Sequence, residues 1–245
     1  MLTHFSLFSG IGGIDLAAEW AGFTTVGQVE WADYPTKVLE KHWPDVPRWR
    51  DIRSVTKESF YEKTGLRTVD LISGGFPCQP FSVVGKQKGK RDDRYLWPEM
   101  LRVIREIKPT WVLGENVPGI LRIAGETVCE DLEREGYAVT VFNFEAAAVG
   151  APHRRERVFF VADTDSEGLQ GRANARKDRR EREKPANEQP GGCGPCRNHW
   201  SAEPDVGRVA NGIPNRVDRL KCLGNAVVPQ QVYPILQAIA EIETC

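Results

Sequence analysis

Short apolar runs alternate with amphipathic stretches along most of this chain, and the alternation predicts strands and helices in turn. Residues 2–8 switch loosely between apolar and polar and predict a first strand. Ile14, Leu16, Ala17, Trp20 and Ala21 then recur at helical spacing until Gly22 closes the run. Residues 24–29 predict a second strand with Glu30 and Trp31 at its carboxyl end, and residues 33–42 a helix with Pro35 near its first turn. Residues 69–73, Val-Asp-Leu-Ile-Ser, predict a short buried strand. Leu96, Leu101, Val103, Ile104 and Ile107 supply the buried side of a helix over 95–107, and residues 109–114 lead a strand into Glu115. A helix over 124–135, an alternating strand over 137–144 and a strongly apolar strand over 158–162 follow. Val232, Ile235, Leu236, Ile239 and Ile242 mark a final helix. Such strand and helix alternation predicts an α/β fold with a mostly parallel sheet.

The pattern breaks at Asp163. Residues 165–198 are rich in Gly, Arg, Lys, Glu and Asn and have almost no apolar side chains, so they cannot build a core of their own. The chain therefore divides into a body over 1–163, a small, poorly structured polar insert over 164–203, and a return segment over 204–245. At 245 residues and 27.5 kDa it fits one α/β domain with a small appendage. The 33 basic side chains against 34 acidic ones leave a formal net charge of −1, so attraction to nucleic acid must come from local clusters. Two such clusters stand out. Residues 83–94 carry five basic side chains and two glycines, and residues 172–184 carry seven basic and three acidic side chains. Nothing near Met1 reads as a leader and nothing approaches a membrane span, so a cytoplasmic protein with reduced cysteines is expected.

Several places carry candidate chemistry. Gly10, Gly12 and Gly13 form a turn between the first strand and helix where a ligand could approach backbone without meeting Cβ atoms. The run lacks the Gly-x-Gly-x-x-Gly spacing of a dinucleotide site, which disfavours NAD. Glu30, at a strand end, suits a ribose diol, although an ordinary strand-end acid would look the same. In Gly74-Gly-Phe-Pro-Cys-Gln-Pro-Phe-Ser82 the glycines take the chain sharply out of its strand, and Cys78 stands between Pro77 and Pro80. Backbone so constrained suits a nucleophile held still, against the alternative of a small buried hydrophobe. Cys193-Gly-Pro-Cys196-x-x-His199 supplies half of a zinc spacing without a clear fourth ligand, so no metal is expected. Cys129 reads as structural, and Cys222 and Cys245 carry no assigned role.

Taken together, Phe8-Ser-Gly-Ile-Gly-Gly13, Gly75-Phe-Pro-Cys-Gln-Pro-Phe-Ser82, Glu115-Asn-Val117, Arg154-Arg-Glu-Arg157 and Gly224-Asn-Ala-Val227 resemble, in order, the signatures of DNA (cytosine-5) methyltransferases of bacterial or phage type. The resemblance covers residues 1–163 and roughly 204–240. It implies a Rossmann-like methyltransferase fold, S-adenosylmethionine (AdoMet) as cofactor, and methylation of carbon 5 of cytosine in double-stranded DNA through base flipping. By that resemblance Cys78 attacks carbon 6, Glu115 meets N3 and the exocyclic amino group, and Arg155 helps to hold the catalytic base or a phosphate. Phe8, Gly10, Gly12, Gly13, Glu30, Trp31, Asp51, Ile52 and Asn225 would bind the cofactor: Phe8 and Trp31 at the adenine, Glu30 at the ribose, Asp51 at the adenine amino group. Gln79, Ser82, Lys86, Lys88, Arg91, His153 and Arg157 would contact DNA, with His153 replacing the family's usual glutamine and Arg157 alternatively bracing its strand through a salt bridge. The polar insert sits where the family carries its target-recognition domain, and the family's Arg-Glu-x-x-Arg-Leu-Gln-like helix is not recognisable. The resemblance further implies a monomer in a bacterial or phage-infected cell and leaves open a cognate restriction endonuclease. Two other readings stay in view: an RNA (tRNA) cytosine-5 methyltransferase, and a non-catalytic DNA-binding regulator on the same fold.

Overall fold

The first strand, β1 (Leu2–Leu7), lies at the centre of a seven-stranded sheet, and the chain builds outward from it in both directions. In the computed structural model, which describes residues 1–77, 95–164 and 216–244, β2 (Phe23–Val29) and β3 (Arg48–Trp49) extend the sheet on one side. On the other side follow β4 (Leu71–Gly74), β5 (Trp111–Asn116), β7 (Arg157–Asp163) and β6 (Ala138–Phe144), giving the order β3-β2-β1-β4-β5-β7-β6. The pairs from β3 to β5 are parallel, and β7 is antiparallel to both of its neighbours, so it alone runs against the rest. Between β1 and β4 the strand order reverses, and at such a switch point the carboxyl ends of the strands open a crevice.

Helices cover both faces. On one face, α3 (Lys57–Thr64), α4 (Trp97–Ile107) and α6 (Gly125–Arg134) bury Phe60, Trp97, Met100, Ile104, Val128 and Leu132 against Phe5, Leu7, Ile72, Val112 and Phe160. On the other, α1 (Gly13–Trp20) and the C-terminal α8 (Pro229–Glu243) bury Ile14, Ala17, Val232, Leu236 and Ile239 against Leu71, Trp111, Leu113, Phe159 and Val161. Trp111 also donates its indole N–H to Glu243 at 2.8 Å, tying the end of α8 to β5. The remaining helices are α2 (Asp33–His42), the short α5 (Ile120–Ile123) and α7 (Arg216–Asn225). Among the described elements, β3, α3, α5 and α7 escape the periodicity of the sequence. β3 spans two residues, α3 buries only Phe60, and α7 is mostly polar. The antiparallel direction of β7 is the other departure. Residues 165–203 of the insert and residues 204–215 and 245 of the return segment lie outside the described residues. Among the described residues, no helix is long and apolar enough to cross a membrane, and no cluster of His, Cys, Asp and Glu could hold a metal ion.

A buried polar layer runs under the turn between β1 and α1. Asp15, in the first turn of α1, accepts from Ser6 Oγ at 2.9 Å and Gln28 Nε2 at 2.8 Å. Arg48 donates to Gln28 Oε1 at 2.9 Å and to the carbonyls of Leu39 (2.9 Å) and Trp43. Nearby, His4 pairs through Nδ1 with Thr25 Oγ1 at 3.0 Å and through Nε2 with Ser73 Oγ at 2.7 Å. Burial raises the Asp15 carboxyl to about 6, against the pull of its hydrogen bonds, and lowers the His4 imidazole to about 3.

These two groups act on stability in opposite senses. Asp15 binds its proton more tightly folded than unfolded, so its contribution is full below about 4 and is lost as pH rises to about 6. His4 binds its proton less tightly folded, so its contribution is full above about 6.5 and is lost as pH falls toward 3. Between pH 6 and 4 the slopes cancel, each being about 1.4 kcal/mol per pH unit. His4→Gln removes one of them. As pH falls from 6 to 4 its unfolding free energy should rise relative to wild type by about 2.7 kcal/mol, which urea melts at pH 6, 5 and 4 would measure.

Candidate active site

At the end of β1 the chain turns through Phe8, whose φ of +53° is unusual for a bulky residue, and Gly10, at +56°. Two backbone bonds fix this turn: Ser9 N–H donates to Val29 O at 3.0 Å, and Gly10 N–H donates to Glu30 Oε2 at 2.8 Å. The other Glu30 oxygen accepts from Ala32 N–H at 2.8 Å. The carboxylate is thereby aimed, and each oxygen keeps a lone pair for a further donor. A Cβ on Gly10 would meet nothing within 4 Å, so this glycine borders open space. A Cβ on Gly12 would lie 2.4 Å from the Trp43 ring, and one on Gly13 would lie 2.9 Å from Val227 O. These two glycines therefore admit close neighbours, and Gly13 brings the Gly224–Val227 signature onto the loop.

Trp31 stands 71% exposed beside Glu30. Asp51 accepts from Arg53 N–H at 2.9 Å at the head of a short 3-10 turn and remains half-buried. Ile52 packs its side chain into the first core, and its carbonyl accepts from Arg102 at 2.9 Å. Phe8 also leans on that core from a half-buried position. Asn225 is exposed at the end of α7. The structure thus brings Gly10 onto Glu30 and Gly13 onto Val227 at the end of β1, leaves Trp31 exposed beside Glu30, and gives the Ile52 side chain to the core.

The second half of the site surrounds Glu115, on β5. Its side chain is 9% exposed as a residue, and its Oε1 accepts from Arg157 Nε at 2.7 Å. Burial pushes the Glu115 carboxyl up, and the guanidinium charges of Arg157 and Arg155 pull against that shift. The strand register explains the pair. Glu115 lies opposite Phe159, so Arg157, two residues earlier on antiparallel β7, is its diagonal neighbour on the same face. A Cβ on Gly75 would fall 2.9 Å from Glu115 Oε2, so Gly75 is small because a carboxylate lies against it. Gly74 and Gly75 are absent from the positive-φ glycines, and the predicted sharp turn gives way to close approach as their physical reason. Asn116 fixes the same loop root by donating Nδ2 to Phe76 O at 2.9 Å, while its Oδ1 accepts from Val117 N–H at 3.0 Å. Across the loop, Leu96 N–H donates to Pro77 O at 3.4 Å.

Cys78, Gln79, Ser82, Lys86, Lys88 and Arg91 lie outside the described residues, as do Cys193, Cys196 and His199. Cys78 follows Pro77 and is thus two residues past Phe76, whose carbonyl Asn116 holds. His153 is exposed in the connection before β7. Arg155, also in that connection, has a φ of +31° and donates Nη2 to Gly224 O at 2.8 Å and to Ala226 O. Sequence reasoning passed over Gln231, whose Nε2 donates to Phe144 O at 2.7 Å and Arg155 O at 3.1 Å. A glutamine among the apolar positions of the final helix was the available signal.

Comparison with known proteins places this geometry. The profile of the family "C-5 cytosine-specific DNA methylase" matches residues 2–196. The type II methyltransferase M.AquIA of Picosynechococcus is 37% identical over 174 residues, covering 64% of this chain and 70% of that protein. M.NgoMIV of Neisseria gonorrhoeae is 35% identical over 164 residues, covering 65% of this chain and 51% of that protein. Among solved structures, a DNA modification methyltransferase encoded within an E. coli prophage superposes with a TM-score of 0.58 at 28% identity, over 66% of this chain and 47% of that one. The chain thus spans about half the length of two of these three relatives. Since the family profile covers well over half of its residues, the chain belongs to the C-5 cytosine-specific DNA methylase family.

Proposed function

We propose that this protein transfers a methyl group from AdoMet to carbon 5 of cytosine in double-stranded DNA. The observation that carries the reading is the Glu115–Arg157 pair, buried against the root of the Pro-Cys loop and opening on the same strand ends as Glu30. The residues present fit AdoMet: an aimed carboxylate with spare lone pairs for a ribose diol, a glycine loop bordering open space, and an exposed indole for a purine face. When bound, AdoMet supplies an electrophilic methyl group.

The chain's own residues supply the rest. Carbon 5 of cytosine is a poor nucleophile until the ring is activated. The Cys78 thiolate adds to carbon 6, and Glu115 holds the proton at N3 that balances the charge pushed into the ring. Once carbon 5 carries the methyl group that AdoMet would supply, loss of its proton to solvent with breakage of the C6–sulfur bond restores the aromatic ring and frees the thiolate. Burial favours a protonated Glu115, and Arg157 keeps that tendency within bounds while fixing the carboxyl orientation. A stacked base cannot reach this site, so the target must be flipped, which costs a few kcal/mol. The basic residues of 83–94 follow the nucleophile directly and suit the phosphates beside such a base.

DNA is favoured over RNA because the loop reads Pro-Cys-Gln-Pro-Phe-Ser and the relatives compared above are named type II methyltransferases. Those names also support a role in a restriction-modification system, in which a cognate endonuclease would be the partner. The pairing of Glu115 with Arg157 argues against a decayed, non-catalytic regulator. Bisulfite sequencing of DNA from a host expressing the protein tests the reading: new protected cytosines at a recurring sequence support it, and their absence from DNA ends it.

Three variants probe the mechanism. Cys78→Ser should retain under about a tenth of wild-type turnover with AdoMet affinity unchanged, checked by tritium transfer beside calorimetry, because a hydroxyl is a far weaker nucleophile than a thiolate. Glu115→Gln should lower the single-turnover rate at least about a hundredfold, with DNA affinity little altered in a gel-shift titration. Arg157→Leu leaves a buried carboxylate without its partner and raises the Glu115 pKa further. Stability carried by a raised carboxyl is lost as pH rises through its folded pKa. The penalty should therefore approach about 3 kcal/mol at pH 8 and be smaller at pH 5, in urea melts at both.

A further inference from the structure

Arg155 stands close enough to Glu115 to feel its charge, yet its hydrogen bonds go elsewhere. The Glu115 carboxylate is taken by Arg157, and the Arg155 guanidinium reaches instead to the carbonyls of Gly224 and Ala226. Gly224 lies in the last turn of α7 and Ala226 just past its end, where a helix leaves its last C=O groups without intrahelical donors and where a positive charge is favourable. One residue further on, Val227 is buried in the second core, and its carbonyl and Cγ1 press on Gly13 so closely that a Cβ there would be 2.9 and 3.0 Å away. Arg155 is itself held from behind. Its backbone carbonyl accepts from Gln231 on α8, and its φ of +31° is one that an L-residue adopts only when its surroundings impose it.

We propose that Arg155 is a positioning residue for the cofactor rather than a group that acts on the target base. It clamps the segment 224–227 onto the glycine loop and so builds one wall of the crevice. The inference rests on the functional reading above and adds a role that this chain's own contacts specify. Removing the guanidinium leaves two carbonyls without their charged donor, and the wall loosens from Gly13. The cost falls on cofactor affinity, while the Glu115–Arg157 pair stays intact.

The test is a split between affinity and rate. For Arg155→Met, calorimetry without DNA should show AdoMet bound roughly ten- to a hundredfold more weakly, the scale set by losing hydrogen bonds from a charged donor. At saturating AdoMet the single-turnover rate on unmethylated plasmid DNA should fall less than about threefold. Arg155→Lys should recover part of the affinity, because an ammonium can reach one carbonyl but lacks the span of the guanidinium. Gln231→Met, which loosens Arg155 from its backbone side, should weaken AdoMet in the same direction. Combined with Arg155→Met it should add less than its separate effect, since both act through one contact. An unchanged AdoMet affinity in Arg155→Met, or a rate loss above about tenfold at saturation, overturns the proposal. If Arg155→Met does not fold, an unaltered affinity in Gln231→Met overturns it instead. A wild type that binds no AdoMet or methylates no DNA would show that the functional reading beneath it had failed.

Discussion

A carboxylate can be buried at a strand end only where a cation and an empty space are built beside it. Glu115 has both, and much of the architecture around the crevice follows from supplying them. The cation is Arg157, and it arrives because β7 runs against the sheet. A parallel strand in this position would bring its carboxyl end to the crevice and its first residues to the opposite edge. The reversed strand presents its first residue there, diagonal to Glu115 and on the same face. The space comes from Gly75, whose missing Cβ lets the carboxylate lie against the root of the Pro-Cys loop. Either feature without the other would leave an unpaired charge or a steric clash, and a buried unpaired charge is among the costliest errors a fold can carry.

The glycine-loop side of the crevice uses a different device. There the glycine loop is fixed by polar groups beneath it and by the 224–227 segment beside it. Ser6, Asp15, Gln28 and Arg48 form one hydrogen-bonded chain joining β1, α1, β2 and β3, and Arg48 carries it on to the end of α2. Each member is satisfied by the next, which is what makes a buried polar chain tolerable and gives the elements it links a single relative placement. Trp43, whose backbone carbonyl ends that chain, also puts its ring against Gly12. The loop that would meet AdoMet is thus braced from beneath as well as by Glu30 beside it.

Much of the fold was legible in the sequence, and the failures have physical causes. The helix over Asp33–His42 was read with both ends correct, and the strands at 2–8, 24–29, 69–73 and 158–162 were found within about two residues of their observed limits. β3 was missed because two residues show no period, and α3 because one buried aromatic makes no stripe. α3 did carry a signal in Thr56 and Ser59, which form a reciprocal capping box. In the site, Glu30 and Glu115 were readable as strand-end acids. The partnership of Glu115 with Arg157 was not, because it depends on a strand direction that periodicity cannot report.

That direction was nevertheless written in the order of the motifs. Along the parallel strands each candidate residue lies at or beyond the carboxyl end: the glycine loop after β1, Glu30 after β2, the Pro-Cys loop after β4, and Glu115 near the end of β5. The Arg154–Arg157 signature is the exception, because it precedes its strand. If all these signatures serve one crevice, the strand that follows its motif must enter the sheet from the crevice edge and run away from it. A motif placed before an apolar run, in a chain whose other motifs stand after theirs, is therefore evidence for one reversed strand. It also explains why Arg155 can reach the end of α7. The connection before β7 lies at the crevice edge, on the face that α8 covers, so a side chain leaving it meets the segment that leads into that helix.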